Sequence, residues 1–116
     1  MKLIYLASPY THSDPWVRQD RYEQVFFATS KMMLNGLKVF SPIVYTHHLD
    51  RMLGEGMTHR DWLLQVLPYL HRSDRFVVLK LDGWERSKGI QQETEEADKL
   101  GLKPEYLDVL DVDNFQ

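Results

Sequence analysis

Residues 75–81 read RFVVLKL. The run Phe76-Val77-Val78-Leu79 is short, unbroken and made of β-branched and aromatic side chains, which suits a strand covered on both faces better than a helix. A strand of that kind belongs in the middle of a parallel sheet. Working outward, KLIYLA (2–7) is a second such run, stopped by the turn Ser8-Pro9. LKVF (37–40) is a third, stopped by Ser41-Pro42, and EYLDVLDV (105–112) reads as the last strand.

Helical patterns separate these strands. Asp14 suits an N-cap and Pro15 the first helical position. Tyr22, Val25, Phe26, Thr29 and Met33 follow at helical spacing until Asn35-Gly36 ends the helix. Thr58 and Asp61 form a capping box ahead of Leu63, Val66, Leu67 and Leu70, with a kink or break expected at Pro68. SKGIQQETEEA (87–97) starts the next helix, which ends at Gly101. The stretch after Ser41-Pro42, with His47, His48, Gly54 and Gly56, reads as a loop with room for a short extra element around residues 43–50. The order β-α-β-α-β-α-β predicts an α/β fold. We expect a doubly wound, flavodoxin- or Rossmann-like parallel sheet of about four to five strands, with helices on both faces and a single domain over residues 1–116. Ligands in such sheets bind outside the carboxyl ends of the strands. Ser8-Pro9-Tyr10, Ser41-Pro42 and Asp82-Gly83-Trp84 converge on that edge.

Composition narrows the function classes. The formal net charge of −3 gives no sign of a nucleic-acid or anionic-membrane surface. The absence of cysteine excludes disulfides, thiolate catalysis and Cys-ligated zinc. The apolar run at the N-terminus is too short for a signal peptide or a membrane span, so a cytoplasmic protein is expected. The five histidines show neither H-x-x-x-H nor H-E-x-x-H spacing, and no metal site is expected.

One residue breaks the amphipathic pattern. On the 87–97 helix, Ile90, Ala97 and Leu100 project to one side, and Glu93 lies at the centre of that side. Glu95 and Glu96 fall on the solvent side, where Glu95 can pair with Lys99 four residues on. Burial raises a carboxyl pKa and a helix N-terminus lowers it, so an inward Glu93 is a candidate functional group. The alternative is a structural carboxylate paired with Arg18 or Arg21. Ser87 and Gly89, at the helix entry, describe an anion or hydroxyl site one turn above it.

The pattern S-x-G-x-x-x-E-x-x-x-A, here Ser87, Gly89, Glu93 and Ala97, resembles the signature helix of the nucleoside 2-deoxyribosyltransferase superfamily, which includes the deoxynucleoside 5′-monophosphate N-glycosidases. IYLASPY resembles its first strand and loop, with Tyr5 at the active-site tyrosine. Asp74 matches the acidic residue before its central strand, and DGW before S-x-G resembles small bacterial and phage members. The similarity runs from residue 3 to about 101. The resemblance implies cleavage or transfer at the N-glycosidic bond of a 2′-deoxynucleoside or its 5′-monophosphate, without a cofactor, in a homo-oligomer. Glu93 would be the nucleophile, Asp74 would position the substrate or manage the leaving base's proton, and Tyr5 would orient Glu93. Ser87, where the transferases often carry aspartate, looks more like the monophosphate N-glycosidases. The loop SPYTHSDPW lacks the glycine-rich, arginine-bearing loop of those hydrolases, so Arg18 or Arg21 would have to meet a phosphate.

Further expected substrate contacts are Ser8, Pro9 and Asp82 at the strand ends, His47 for the base or phosphate, and Trp84 for stacking on a base. Each histidine reads equally as an exposed loop residue, and Trp84 equally as a core lid or interface residue. A non-catalytic nucleotide-binding module, or a phosphate-binding α/β protein in which Glu93 is structural, would carry the same features.

Overall fold

RFVVL is the core of the sheet. In the computed structural model, which describes residues 1–116, β3 (Arg75–Leu79) lies between β1 (Leu3–Ala7) and β4 (Pro104–Leu107), and β2 (Lys38–Phe40) flanks β1. All pairings are parallel, in the order β2-β1-β3-β4. The helices are α1 (Pro15–Leu34), α2 (Pro42–Leu53), α3 (His59–His71) and α4 (Lys88–Lys99). The chain leaves β1 toward β2 on one side and returns to β3 and β4 on the other. This is a doubly wound α/β fold, and its switch point lies between the carboxyl ends of β1 and β3.

Alternation along the strands splits the core in two. Ile4, Leu6, Val77 and Leu79 face Val25, Ala28 and Met32 of α1, with Ile43 and Val44 of α2 packed alongside. Tyr5, Ala7, Phe76 and Val78 face Val66 and Leu70 of α3 and Ile90 and Ala97 of α4. Burying each large side chain of this kind is worth about 1.5–3 kcal/mol. No helix is long and apolar enough to cross a membrane.

The helix starts are those read from the sequence. The Asp14 carboxylate accepts from Trp16 N–H at 2.9 Å, with Pro15 in the first turn. Thr58 Oγ1 accepts from Asp61 N–H at 3.1 Å while Asp61 Oδ2 accepts from Thr58 N–H at 2.8 Å. Gly36, with φ +87°, closes α1 in the left-handed region.

Four local readings change. Residues 42–53 are a full helix, not a loop, because Ser41 caps it, accepting from Val44 N–H at 3.2 Å, and Pro42 takes the first position. His47 and His48 therefore stand on α2. Pro68 does not break α3, which continues to His71. The carbonyl it leaves free is that of Leu64, a half-exposed position in the middle of the helix where solvent can replace the lost bond. The final strand stops at Leu107, since Asp108 Oδ1 accepts from Leu110 N–H at 3.3 Å and starts a 3-10 turn over Val109–Asn114. Leu100 lies beyond the last turn of α4 and is 42% exposed, and Leu102 packs against the core instead.

Candidate active site at the switch point

Strand register places the first group. Tyr5 lies opposite Phe40 of β2 and Phe76 of β3. Its ring is held between theirs, with centroids 5.7 and 5.9 Å away. Tyr69 of α3 stacks on Phe40 at 4.2 Å and extends the aromatic layer. Tyr5 is fully buried, and its hydroxyl donates to Glu93 Oε2. Glu93 is 8% exposed and has no ion-pair partner. Arg18 and Arg21, the guanidiniums that a structural glutamate would have claimed, are engaged elsewhere. Desolvation pushes the Glu93 carboxyl up to about 7, against the lowering effect of the Tyr5 hydrogen bond. The same burial and the neighbouring carboxylate hold the Tyr5 hydroxyl well above its usual range, so Tyr5 stays a donor.

Two further polar atoms are buried without a partner, Ser8 Oγ and His47 Nε2. Ser8 follows β1 at its carboxyl end, with Pro9 buried beside it. His47 Nδ1 is 2.8 Å from the Tyr10 hydroxyl, and its ring stacks on Tyr22 at 3.8 Å. Burial, then Arg51 and His48, lower the His47 pKa, so its ring is neutral at pH 7. An unpaired buried polar atom costs about 1–3 kcal/mol, so two of them in one small domain call for a physical account.

The other candidate residues fall in two places. Arg21 Nη1 donates to Thr11 O at 3.0 Å and Nη2 to Asp82 O at 3.1 Å, tying the loop after β1 to the loop after β3. Arg18 donates to His12 O in the same first loop. Both guanidiniums donate to backbone carbonyls of these loops. Gly83, with φ +86°, leaves the space: a Cβ there would lie 2.6 Å from Arg21 Nη2. The Asp82 side chain is exposed. Ser87 Oγ caps α4, accepting from Ile90 N–H at 3.2 Å. A methyl at Gly89 would meet only Ser87 Oγ, at 3.8 Å, so open space lies before the first turn of α4. Trp84 packs against Tyr106 and against the core cluster that includes Ile90. Asp74 precedes β3, at the opposite edge of the sheet, where its Oδ2 accepts from Leu3 N–H at 2.8 Å. The length of a five-residue strand, about 16 Å, separates it from the carboxyl edge. The structure therefore brings Glu93 and Tyr5 together and leaves Asp74 apart.

A family model described as a domain of unknown function (DUF1937) matches residues 2–104. The chain belongs to this family. No curated protein matches the sequence. The DUF1937 match takes in all four helices and reaches the first residue of β4, so Tyr5, Ser8, His47 and Glu93 all lie within it. Tyr10 and Tyr22 hold the His47 ring in this DUF1937 domain, and their contact with it had no signal in the sequence. They meet it from positions 37 and 25 residues away in the chain, as Tyr10, Tyr22 and His47 are numbered. The Ser41-Pro42 cap, which has the same form as Asp14-Pro15, was the one local signal that could have put His47 on a helix.

Proposed function

We propose that this protein cleaves or transfers at the N-glycosidic bond of a 2′-deoxynucleoside or its 5′-monophosphate. The observation that carries this reading is a buried carboxylate, Glu93, held by a tyrosine hydroxyl beside the switch point of a parallel sheet. One Glu93 oxygen bonds to C1′ as the C1′–N bond breaks, and the electron pair leaves with the base, which gains a proton. Water or a second base then attacks C1′ and frees the carboxylate. The cationic sugar of the transition state is stabilised by the carboxylate, the more so in a water-poor setting. Ser8 Oγ and His47 Nε2 offer unused hydrogen-bonding positions for the substrate. Glu93 does not line the open grooves beside α1 and α4 that Trp16 and Trp84 line.

Incubation with each deoxynucleoside and deoxynucleotide, followed by chromatography, tests it. Free base is expected, and adding a second base separates transfer from hydrolysis. Glu93→Gln should lower the rate at least about a thousandfold, as loss of a nucleophile does. Asp74→Asn should leave turnover near the parent value, since that side chain holds Leu3 at the far edge. Substrate binding with no release of base would mark a non-catalytic nucleotide-binding module. Release of base by Glu93→Gln at the parent rate would refute the nucleophile.

The same reading includes self-association. Met33 and Leu34 on α1 and Met52 on α2 are exposed by 60%, 82% and 84%, and Phe26 and Phe27 on α1 and Leu53 on α2 are also exposed. Apolar side chains of this size and number suit an interface. Light scattering should return at least twice the 13.8 kDa chain mass, and a monomer at micromolar concentration would remove this part of the proposal.

A further inference from the structure

Trp84 is not used by the Glu93 chemistry. It forms, with Tyr106 of β4 and Glu85, Ile90, Gln91, Thr94 and Glu95, the lining of an open groove of about 330 Å³. At about 100° per residue, Gln91 and Glu95 of this lining project about 160° from Glu93 and Ile90 about 60°, and Glu93 itself does not line the groove. The Trp84 and Tyr106 rings meet at 49°, with centroids 5.4 Å apart, and make an aromatic corner. Glu85 and Glu95 stand at the same groove. The ion pairs of the chain join Lys31 to Asp113, Arg75 to Glu105 and Lys99 to Glu96. Lys99 thus takes Glu96 in place of the expected Glu95, and both groove carboxylates are left without a cation. No lysine, arginine or histidine lines the groove.

The corner is held in place. Gly83 turns the chain in the left-handed region, Trp84 N–H donates to Leu81 O at 3.0 Å, and Arg21 Nη2 donates to the Asp82 carbonyl at 3.1 Å. We propose that this groove binds an organic cation, an alkylated ammonium or guanidinium group. Aromatic faces carry negative potential and attract such cations, and two unpaired carboxylates add to that potential. An anion would be repelled, and a neutral apolar group would leave both carboxylates uncompensated. The group can come from a free small cation or from a lysine or arginine side chain of a peptide.

The test is titration of the full chain with choline, its neutral isostere 3,3-dimethylbutanol, arginine amide and a short arginine-containing peptide, read by the Trp84 indole N–H resonance. Saturable binding of the cations is expected, with the neutral isostere at least about tenfold weaker and affinity falling as salt rises. Trp84→Leu should weaken cation binding about tenfold, read by calorimetry, and Trp84→Phe should keep most of it because an aromatic face remains. Glu95→Gln should weaken it about threefold. A peptide that binds much more tightly than arginine amide identifies the side-chain source, and equal affinities identify the small molecule. Glu93→Gln should bind cations like the parent, so this proposal stands or falls apart from the glycosidic chemistry. Equal binding of choline and its isostere, or no saturable binding by any cation, overturns it.

Discussion

Glu93→Gln should stabilise the protein at pH 8 by about 3 kcal/mol while removing its proposed chemistry. The sign follows from proton counting. An ordinary glutamate in the unfolded chain titrates near 4.5, whereas burial pushes folded Glu93 up to about 7. Below about pH 4.5 both states keep the proton, and Glu93 costs the fold nothing. Between about 4.5 and 7 the folded state holds a proton that the unfolded chain has released, so stability falls as pH rises. Above about 7 the full cost of a buried charge is present. At about 1.4 kcal/mol per pH unit, that interval gives the figure of about 3 kcal/mol. Urea unfolding of parent and variant at pH 4 and pH 8 measures it. The curves should lie close together in acid and separate in base. Equal midpoints at both pH values would mean that Glu93 titrates like an exposed glutamate and is no buried carboxylate.

The second large effect concerns Tyr5. Tyr5→Phe keeps the ring between Phe40 and Phe76, so little packing is lost. It removes the hydroxyl that donates to Glu93, the group that offsets part of the desolvation. The Glu93 carboxyl should then titrate above about 7 by one pH unit or more, since a hydrogen bond to a charged group is worth about 1.5–3 kcal/mol. The acid limb of the pH–rate profile moves up with it, and the rate at pH 7 drops about fivefold or more. Carboxyl carbon NMR follows the titration directly and does not depend on turnover. If Glu93 titrates at the same pH in both proteins, the hydroxyl does not tune the carboxylate. The two substitutions separate roles: Glu93→Gln removes the charge, whereas Tyr5→Phe makes the charge harder to form.

These two residues also mark what reading the sequence can reach. Helical spacing alone turned Glu93 inward, because periodicity is a local property and an acid among Ile90 and Ala97 stands out against it. Its partner was not readable that way. Tyr5 is 88 residues distant, in a run where any tyrosine reads as core, and only the resemblance singled it out. Arg18 and Arg21 show a different limit. As free cations near a proposed anion site they looked like ligands, yet both are engaged by carbonyls of the loops they brace. Asp74 matched a family position in sequence order, while its place in space is the amino edge of the sheet.

By itself the sequence determined the alternation of strands and helices, the burial of RFVVL, the starts of α1, α3 and α4, and the inward turn of Glu93. Each of these rests on hydrogen bonds or periodicities that close within a few residues. The tertiary structure alone decided the order β2-β1-β3-β4, the contact of Tyr5 with Glu93, the stacking of His47 on Tyr22 and the unpaired state of Ser8 and His47. Those depend on strand register and on the packing of helices from distant parts of the chain, where many pairings satisfy the same local pattern and only collective burial selects one.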